Sequence, residues 1–352
     1  MQLDTLTNSL CFDDILLVPK RSNVKSRSDI ELKSVVGNPN NPAAWLTLEN
    51  AFVMAPMEFI SSTSMIKEVL EYGGLAFVHR FQNKDDRLAQ YKKISLESEW
   101  SHRLGFAINN TDVDDKGFIE QILNLGCRVI LIDTAYGHTD TSVNAVKKLR
   151  AVVPNYIHIM SGNVSSYDAY KDLMDSGADS VRVGIGGGAA CTTRLVTGFG
   201  TPVLGSIMDV YQNVKNDVVN GIVSDGGIKH NGDIVKAFAG GASAVMMGTM
   251  FAGHEECDGM SNGKFLFRGL ASESIQLDKE TGEKPPLNHL HVEGVSAYID
   301  NKGPVRNTIT QFINNAKSGL SYCGSQNLKI FREECRFIKV SPQSLQESKS
   351  RI

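Results

Sequence analysis

Eight short apolar runs, separated by segments of helical period, constrain this sequence more than any other feature. They are Phe52–Ala55, Leu75–Val78, Leu104–Ala107, Val129–Ile132, Ile157–Met160, Ser180–Val183, Gly221–Val223 and Ala244–Met247. Runs this short, bounded by turn residues, read as strands. Many of the intervening segments repeat apolar residues every three or four positions and close on glycine, as in I-K-E-V-L-E-Y-G-G, I-E-Q-I-L-N-L-G, Y-K-D-L-M-D-S-G and I-V-K-A-F-A-G-G. Gly73, Gly126, Gly177 and Gly240 fit the position just past a helix where the backbone turns left-handed. Strands alternating with helices predict parallel βα units, and eight such units predict a closed (β/α)8 TIM barrel of class α/β. An open doubly wound sheet would place its glycine fingerprint after the first strand and an acid after the second. Here the densest glycines follow the sixth.

A barrel also accommodates the length. The 352 residues exceed an ordinary single domain, but such barrels run to about 250 residues or more as one unit. The whole chain, 1–352, therefore reads as one domain with an N-terminal arm (1–50), a loop at 183–200, a flap (273–303) and a C-terminal tail (330–352). Within the arm, Leu10–Leu32 reads as an extended stretch laying an apolar face on the body, interrupted at Pro19. A formal net charge of -3 gives no footprint for nucleic acid. No apolar run approaches the roughly 20 residues of a membrane span, and Met1–Leu10 lacks a basic stretch followed by an apolar one, so a cytoplasmic protein is expected. Six cysteines are scattered without a C-x-x-C pair, which suggests neither a zinc site nor a disulfide framework.

Barrel chemistry collects at the C-terminal ends of the strands. The special residues of this sequence fall there: Met57 and Glu58, His79 and Arg80, Asn109, Asp133, Asn163, the loop after strand six, Asp225–Gly227 and Gly248–Thr249. The loop after strand six, V-G-I-G-G-G-A-A-C-T-T-R, sets four glycines before Cys191. Glycines let backbone N–H groups or carbonyls converge on an ion, because no Cβ blocks positive φ. A flexible loop carrying a packing cysteine would use the same residues. The turns S-D-G-G-I at Ser224–Ile228 and M-G-T at Met247–Thr249 end the last two strands, where barrels bind phosphate through backbone N–H groups and a helix N-terminus. Tight turns alone would also require Gly226, Gly227 and Gly248. Asp225 is placed to reach a ribose hydroxyl, as acids beside nucleotides do.

Taken together and in order, these motifs resemble the family of IMP dehydrogenases and GMP reductases over nearly the whole chain. The matching stretches are F-D-D-I-L-L-V-P (Phe12–Pro19), A-P-M (Ala55–Met57), I-D-T-A-Y-G-H (Ile132–His138), G-N-V (Gly162–Val164), V-G-I-G (Val183–Gly186), C-T-T-R (Cys191–Arg194), D-G-G-I (Asp225–Ile228) and R-G-L-A-S (Arg268–Ser272). The resemblance implies a purine 5′-monophosphate substrate, a nicotinamide cofactor, a homotetramer and a thiolate that adds to purine C2. Cys191 matches that nucleophile, and Thr193 with Glu293 of V-E-G-V matches the family's proton-transfer pair. It also implies substrate contacts at Met57, Gly186, Gly188, Asp225, Gly226, Gly227, Gly248, Thr249, Arg268, Gly269 and Leu270. Cofactor contacts are implied at Asp133, Thr134, Ala135 and Asn163, and a potassium ion on the backbone of Gly186, Gly188 and Cys191.

The two reactions differ in the flap. The dehydrogenase pattern carries an arginine and a tyrosine there to activate water, and Ser274–Val292 contains neither. Hydrolysis is then impaired while ammonia release and hydride transfer remain, which favours NADPH-dependent GMP reductase over IMP dehydrogenase with NAD. V-H-R-F-Q (Val78–Gln82), T-G-F-G-T (Thr197–Thr201) and F-A-G-H-E-E (Phe251–Glu256) resemble the reductase branch, and the short link between strands two and three leaves no room for the CBS insert of dehydrogenases. The tail L-Q-E-S-K (Leu345–Lys349) instead resembles a dehydrogenase ending that completes a neighbour's cation site, and T-A-Y-G-H matches the reductases poorly. Three positions depart from the family pattern: Ala189 for a phosphate-binding serine, Phe267 for a tyrosine, and Glu58 for an aspartate. Two lost hydroxyl contacts of about 1 kcal/mol each weaken phosphate binding, which keeps open a modified or deoxy purine nucleotide, or a nucleotide-binding protein without turnover. A flavin-binding barrel would use the same phosphate turns.

Overall fold

The computed structural model describes residues 9–214, 220–269 and 292–348. Its centre is an eight-stranded parallel sheet. We number the barrel strands β1 (Phe52–Met54), β2 (Ala76–Val78), β3 (Leu104–Ile108), β4 (Val129–Ile132), β5 (His158–Val164), β6 (Ser180–Val183), β7 (Ile222–Asp225) and β8 (Ala244–Met247). Each pairs with its neighbours in sequence, and β8 pairs with β1. The last seam, β1 to β2, closes through a Val53–Leu75 bridge, where the Met54 N–H donates to Leu75 O at 2.9 Å and the Leu75 N–H to Phe52 O at 3.1 Å. The expected strands are thus all present, and β5 runs four residues further than its apolar run.

The longer helices are α1 (Thr63–Glu71), α2 (Lys84–Glu97), α3 (Lys116–Asn124), α4 (Asp140–Val152), α5 (Tyr167–Asp175), α6 (Val203–Val214), α7 (Asn231–Ala239) and α8 (Val305–Ser321). Five begin on a side-chain cap: Ser62, Asn83, Asp115, Thr139 and Ser166 each accept from the backbone N–H three residues on. Gly73, Gly126 and Gly177 have positive φ, as expected of helix-ending glycines. Gly240 does not. Its φ is -71°, its N–H still bonds to Lys236 O, and the left-handed residue is Gly241 at +115°. Helix α7 runs one residue longer than the glycine pair suggests.

Side-chain alternation divides the core in two. Val53, Phe77, Ala107, Val129, Leu131, Met160, Val223, Ala244 and Met246 fill the barrel, whereas Phe52, Met54, Ile130, Ile132, Val181 and Val183 pack outward against the helices. A hairpin of Ser34–Val36 and Leu46–Leu48 plugs the N-terminal end of the barrel, adding Val36, Leu46 and Leu48 to the inner cluster. Val36 bridges to Asn220, just ahead of β7, which fixes the plug at that end. Ahead of it the arm buries Phe12 and Ile15, and Ile15–Leu17 pairs antiparallel with Phe337–Lys339 of the tail. With one mouth sealed by apolar residues, chemistry is confined to the other.

Candidate active site

The loop after β6 is shaped by what a side chain would strike. A Cβ on Gly184, at φ +148°, would lie 2.0 Å from Asp225 O, and one on Gly186, at φ +75°, would lie 2.6 Å from Arg194 Cγ. The chain then turns back, with the Cys191 N–H donating to Gly188 O at 3.0 Å. Cys191 pairs with Gly294, the Thr192 N–H donates to Glu293 O at 2.9 Å, and the Val295 N–H donates to Ala190 O at 3.0 Å. Gly269 permits this stitching, because a Cβ there would sit 2.8 Å from Ala190 O. The result is a continuous chain of polar atoms. Cys191 Sγ lies 3.2 Å from Thr193 Oγ1, and the Thr193 hydroxyl donates to Glu293 Oε2 at 2.6 Å. A thiol, a hydroxyl and a carboxylate so linked can pass a proton between the sulfur and the carboxylate.

Beneath this chain lies a charged floor that sequence reasoning missed. Arg182, on β6, points into the barrel with its side chain 4% exposed. One Nη pairs closely with Asp133 Oδ1, while Nε and the other Nη reach Asp225 Oδ2 at 3.0 and 2.8 Å. Asp133 also takes Arg80 Nε at 3.0 Å, and Asn163 Nδ2 donates to Asp225 Oδ2 at 2.7 Å and to Gly184 O at 2.8 Å. Burial would push the Asp133 carboxyl up, but the Arg182 and Arg80 guanidiniums outweigh it and hold it below the usual carboxylate range. Burial likewise works against the Arg182 charge, and Asp225 and Asp133 more than restore it. The signal available in the sequence was period two: Ser180 and Arg182 alternate with Val181 and Val183.

The last two strands end as the turn residues require. Gly226 and Gly227 have φ of +86° and +77°, and the Gly227 N–H donates to Gly187 O at 2.7 Å, joining this turn to the cysteine loop. The helix that follows departs from expectation. The N–H groups of Lys229 and His230 donate to Asp233 Oδ2 at 3.0 and 2.9 Å, so the two N–H groups just ahead of α7 are taken by the helix's own buried carboxylate rather than offered to a phosphate. Gly248 leaves room for Met57, whose Sδ would be 2.8 Å from a Cβ there.

One cavity collects most of the sequence-derived candidates. Cys191, Thr193 and Glu293 line it, as do Met57, Gly186, Gly188, Asp225, Gly226, Gly227, Gly248, Thr249 and Gly269. Thr134, Ala135 and Asn163 line the same cavity, together with the departures Ala189 and Phe267. Two candidates fall behind the wall. Asp133 is 1% exposed and acts on Arg182, and Arg268 is held by Glu58, with Nε 3.0 Å from Oε2, over the Phe59 ring. The third departure, Glu58, is therefore an ion-pair partner. Leu270 and most of the flap lie outside the described residues. Away from the cavity, Cys11, Cys127, Cys257, Cys323 and Cys335 all have thiols pushed up by burial, to about 11 for Cys127 and Cys335, which suits inert packing residues. Among the described residues no helix is long and apolar enough to cross a membrane, and no three His, Cys, Asp or Glu side chains could hold a metal.

Comparison with known proteins shows the family. Residues 9–351 match the model of the IMP dehydrogenase / GMP reductase domain. GMP reductase of Serratia proteamaculans is 33% identical over 343 residues, 95% of each chain, and that of Buchnera aphidicola is 35% identical over 342 residues, again 95% of each. Inosine-5′-monophosphate dehydrogenase of Nitrosopumilus maritimus is 27% identical, covering 96% of this chain and 97% of its own. The fold superposes with a TM-score of 0.87 on a cysteine-to-alanine variant of GMP reductase from Trypanosoma brucei, solved in complex with guanosine 5′-monophosphate, at 21% identity over 99% of this chain and 98% of the other. By motif, fold and the matched span, the chain belongs to the IMP dehydrogenase / GMP reductase family.

Proposed function

We propose that the chain is an NADPH-dependent GMP reductase converting GMP to IMP and ammonia. The observation that carries this reading is the Cys191–Thr193–Glu293 chain at the wall of a cavity that the two glycine turns also line. Cys191, as thiolate, forms a bond to purine C2, and the thiol proton leaves through Thr193 to Glu293. The same pair returns a proton to the exocyclic nitrogen as its bond to C2 breaks and ammonia departs. Bound NADPH would supply the hydride for C2, and the C–S bond would then break to regenerate the thiolate. Thr134, Ala135 and Asn163 are the residues that would hold the cofactor. The buried Asn163 Oδ1 lacks a hydrogen-bond partner, and a buried carbonyl in that state fits a ligand donor. A potassium ion suits the loop carbonyls of Gly186, Gly188 and Cys191, since such an ion takes oxygen dipoles. A homotetramer belongs to the same reading.

The test is a pair of absorbance assays on purified protein. GMP should consume NADPH, and IMP with NAD should produce no NADH; the opposite pattern makes the protein a dehydrogenase. Neither reaction, with tight nucleotide binding, would leave a binding protein. Within the reductase reading, Glu293→Gln keeps the hydrogen bond to Thr193 but cannot take its proton. It is expected to lower kcat with GMP by about 10²–10⁴ while leaving GMP affinity nearly unchanged. A kcat within twofold of wild type would remove Glu293 from the relay.

A further inference from the structure

Among the described residues lining the cavity, one cation is held only by an exposed partner. Of these residues only Arg182 and Lys229 are positive, and Arg182 is held between Asp133 and Asp225 in the barrel floor. Lys229 stands two residues beyond Gly227, at the edge of the glycine turn. Its side chain is 65% exposed, with Nζ 3.1 Å from Asp13 Oδ2 on the N-terminal arm, itself 38% exposed. An exposed pair of this kind is weak, so the ammonium exchanges partners at little cost.

Three neighbouring features leave the compensation of a phosphate's charge to that ammonium. Asp233 sets a carboxylate in the first turn of α7 and takes the N–H groups of Lys229 and His230, which weakens the positive helix end that a phosphate would otherwise meet. Ala189 and Phe267 line the cavity without hydroxyls. The turns at Gly226–Gly227 and Gly248–Thr249 offer backbone dipoles and the neutral Thr249 hydroxyl but no charge, and the Gly227 N–H is already given to Gly187 O.

We propose that Lys229 is the charge partner of the substrate's phosphate, leaving Asp13 to bind it, so that this position sets the preference for a nucleoside monophosphate over its nucleoside. The proposal rests on the nucleotide reading above. It makes Asp13 a built-in competitor, and it couples phosphate binding to the arm that carries Phe12 and Ile15.

The test is calorimetric titration of the full chain with GMP and guanosine, and with IMP and inosine, at low and moderate salt. Lys229→Gln should weaken both monophosphates about tenfold and leave the nucleosides unchanged, an effect that shrinks as salt rises. Asp13→Asn should tighten the monophosphates about threefold by removing the competitor. Lys229→Arg should retain monophosphate affinity, which guards against a trivial folding defect in Lys229→Gln. The proposal is overturned if Lys229→Gln leaves monophosphate affinity intact, or weakens nucleoside and nucleotide alike. A wild-type protein that prefers GMP over guanosine through Lys229 but never consumes NADPH overturns the reductase reading and keeps this one. Turnover of GMP with an unchanged KM in Lys229→Gln does the reverse.

Discussion

Arg182→Met is expected to destabilise the fold by about 3–5 kcal/mol, because it strands two carboxylates at the barrel floor without their shared cation. Asp133 and Asp225 have side chains 1% and 13% exposed. Arg80 remains on Asp133, but it reaches only one of its oxygens. A drop in Tm on the order of 10 °C follows for a chain of this size. The pH dependence should change sign as well. In the wild type the folded Asp133 pKa lies below its ordinary value of 3.8, so this carboxylate contributes stability above that pH and loses it as pH falls through the folded value. In the variant Arg80 alone opposes burial, and the expected result is a folded pKa above the ordinary value. The protonated form then suits the fold, and stability is lost as pH rises through the raised value. Melting curves from acid to neutral pH for both proteins give the answer, and a variant that melts like wild type at every pH would show that the floor contributes no stability.

That floor was the part of the molecule least legible in the sequence, and the reason is local. Strands of a parallel barrel are buried on both faces and read as apolar runs, which is why all eight were found within a few residues. The same expectation lets one arginine pass unnoticed inside Ser180–Val183. Its partners come from β4 and β7, far away in sequence, and no local rule joins them. Asp133 was identified as a functional residue, but its place behind the wall depends on Arg182. The pairing of Ile15–Leu17 with Phe337–Lys339 is equally invisible, since two short segments at opposite ends of the chain carry no mutual signal. At Gly240–Gly241 the sequence offers two equivalent glycines. Backbone geometry selects the second, where a Cβ would strike the Tyr211 ring at 2.1 Å. The Cys191–Thr193–Glu293 triad lay between these extremes. Family resemblance named its members 100 residues apart, and the ladder between the cysteine loop and Gly294 explains how they meet.

Cys191→Ala should reduce GMP-dependent consumption of NADPH by at least about 10⁴, to background, with GMP affinity changed by no more than a few-fold. The affinity survives because the glycine turns, Met57 and Lys229 line the cavity independently of the sulfur. Cys191→Ser retains a hydroxyl in place of the thiol that sits 3.2 Å from Thr193 Oγ1, yet a serine held this way is a weaker nucleophile and should stay below about 1% of wild type. Chemical labelling supplies a readout apart from turnover. With the other five thiols pushed up by burial, iodoacetamide at neutral pH should alkylate Cys191 first, and GMP should protect it. Thr193→Val removes the hydroxyl between sulfur and carboxylate, so it should slow labelling at that site and turnover together. If Cys191→Ala keeps wild-type turnover, no covalent adduct at C2 is on the path, and the cavity must work by positioning alone. If labelling of Cys191 is fast and Thr193→Val leaves it so, the adduct stands and the relay through Glu293 does not.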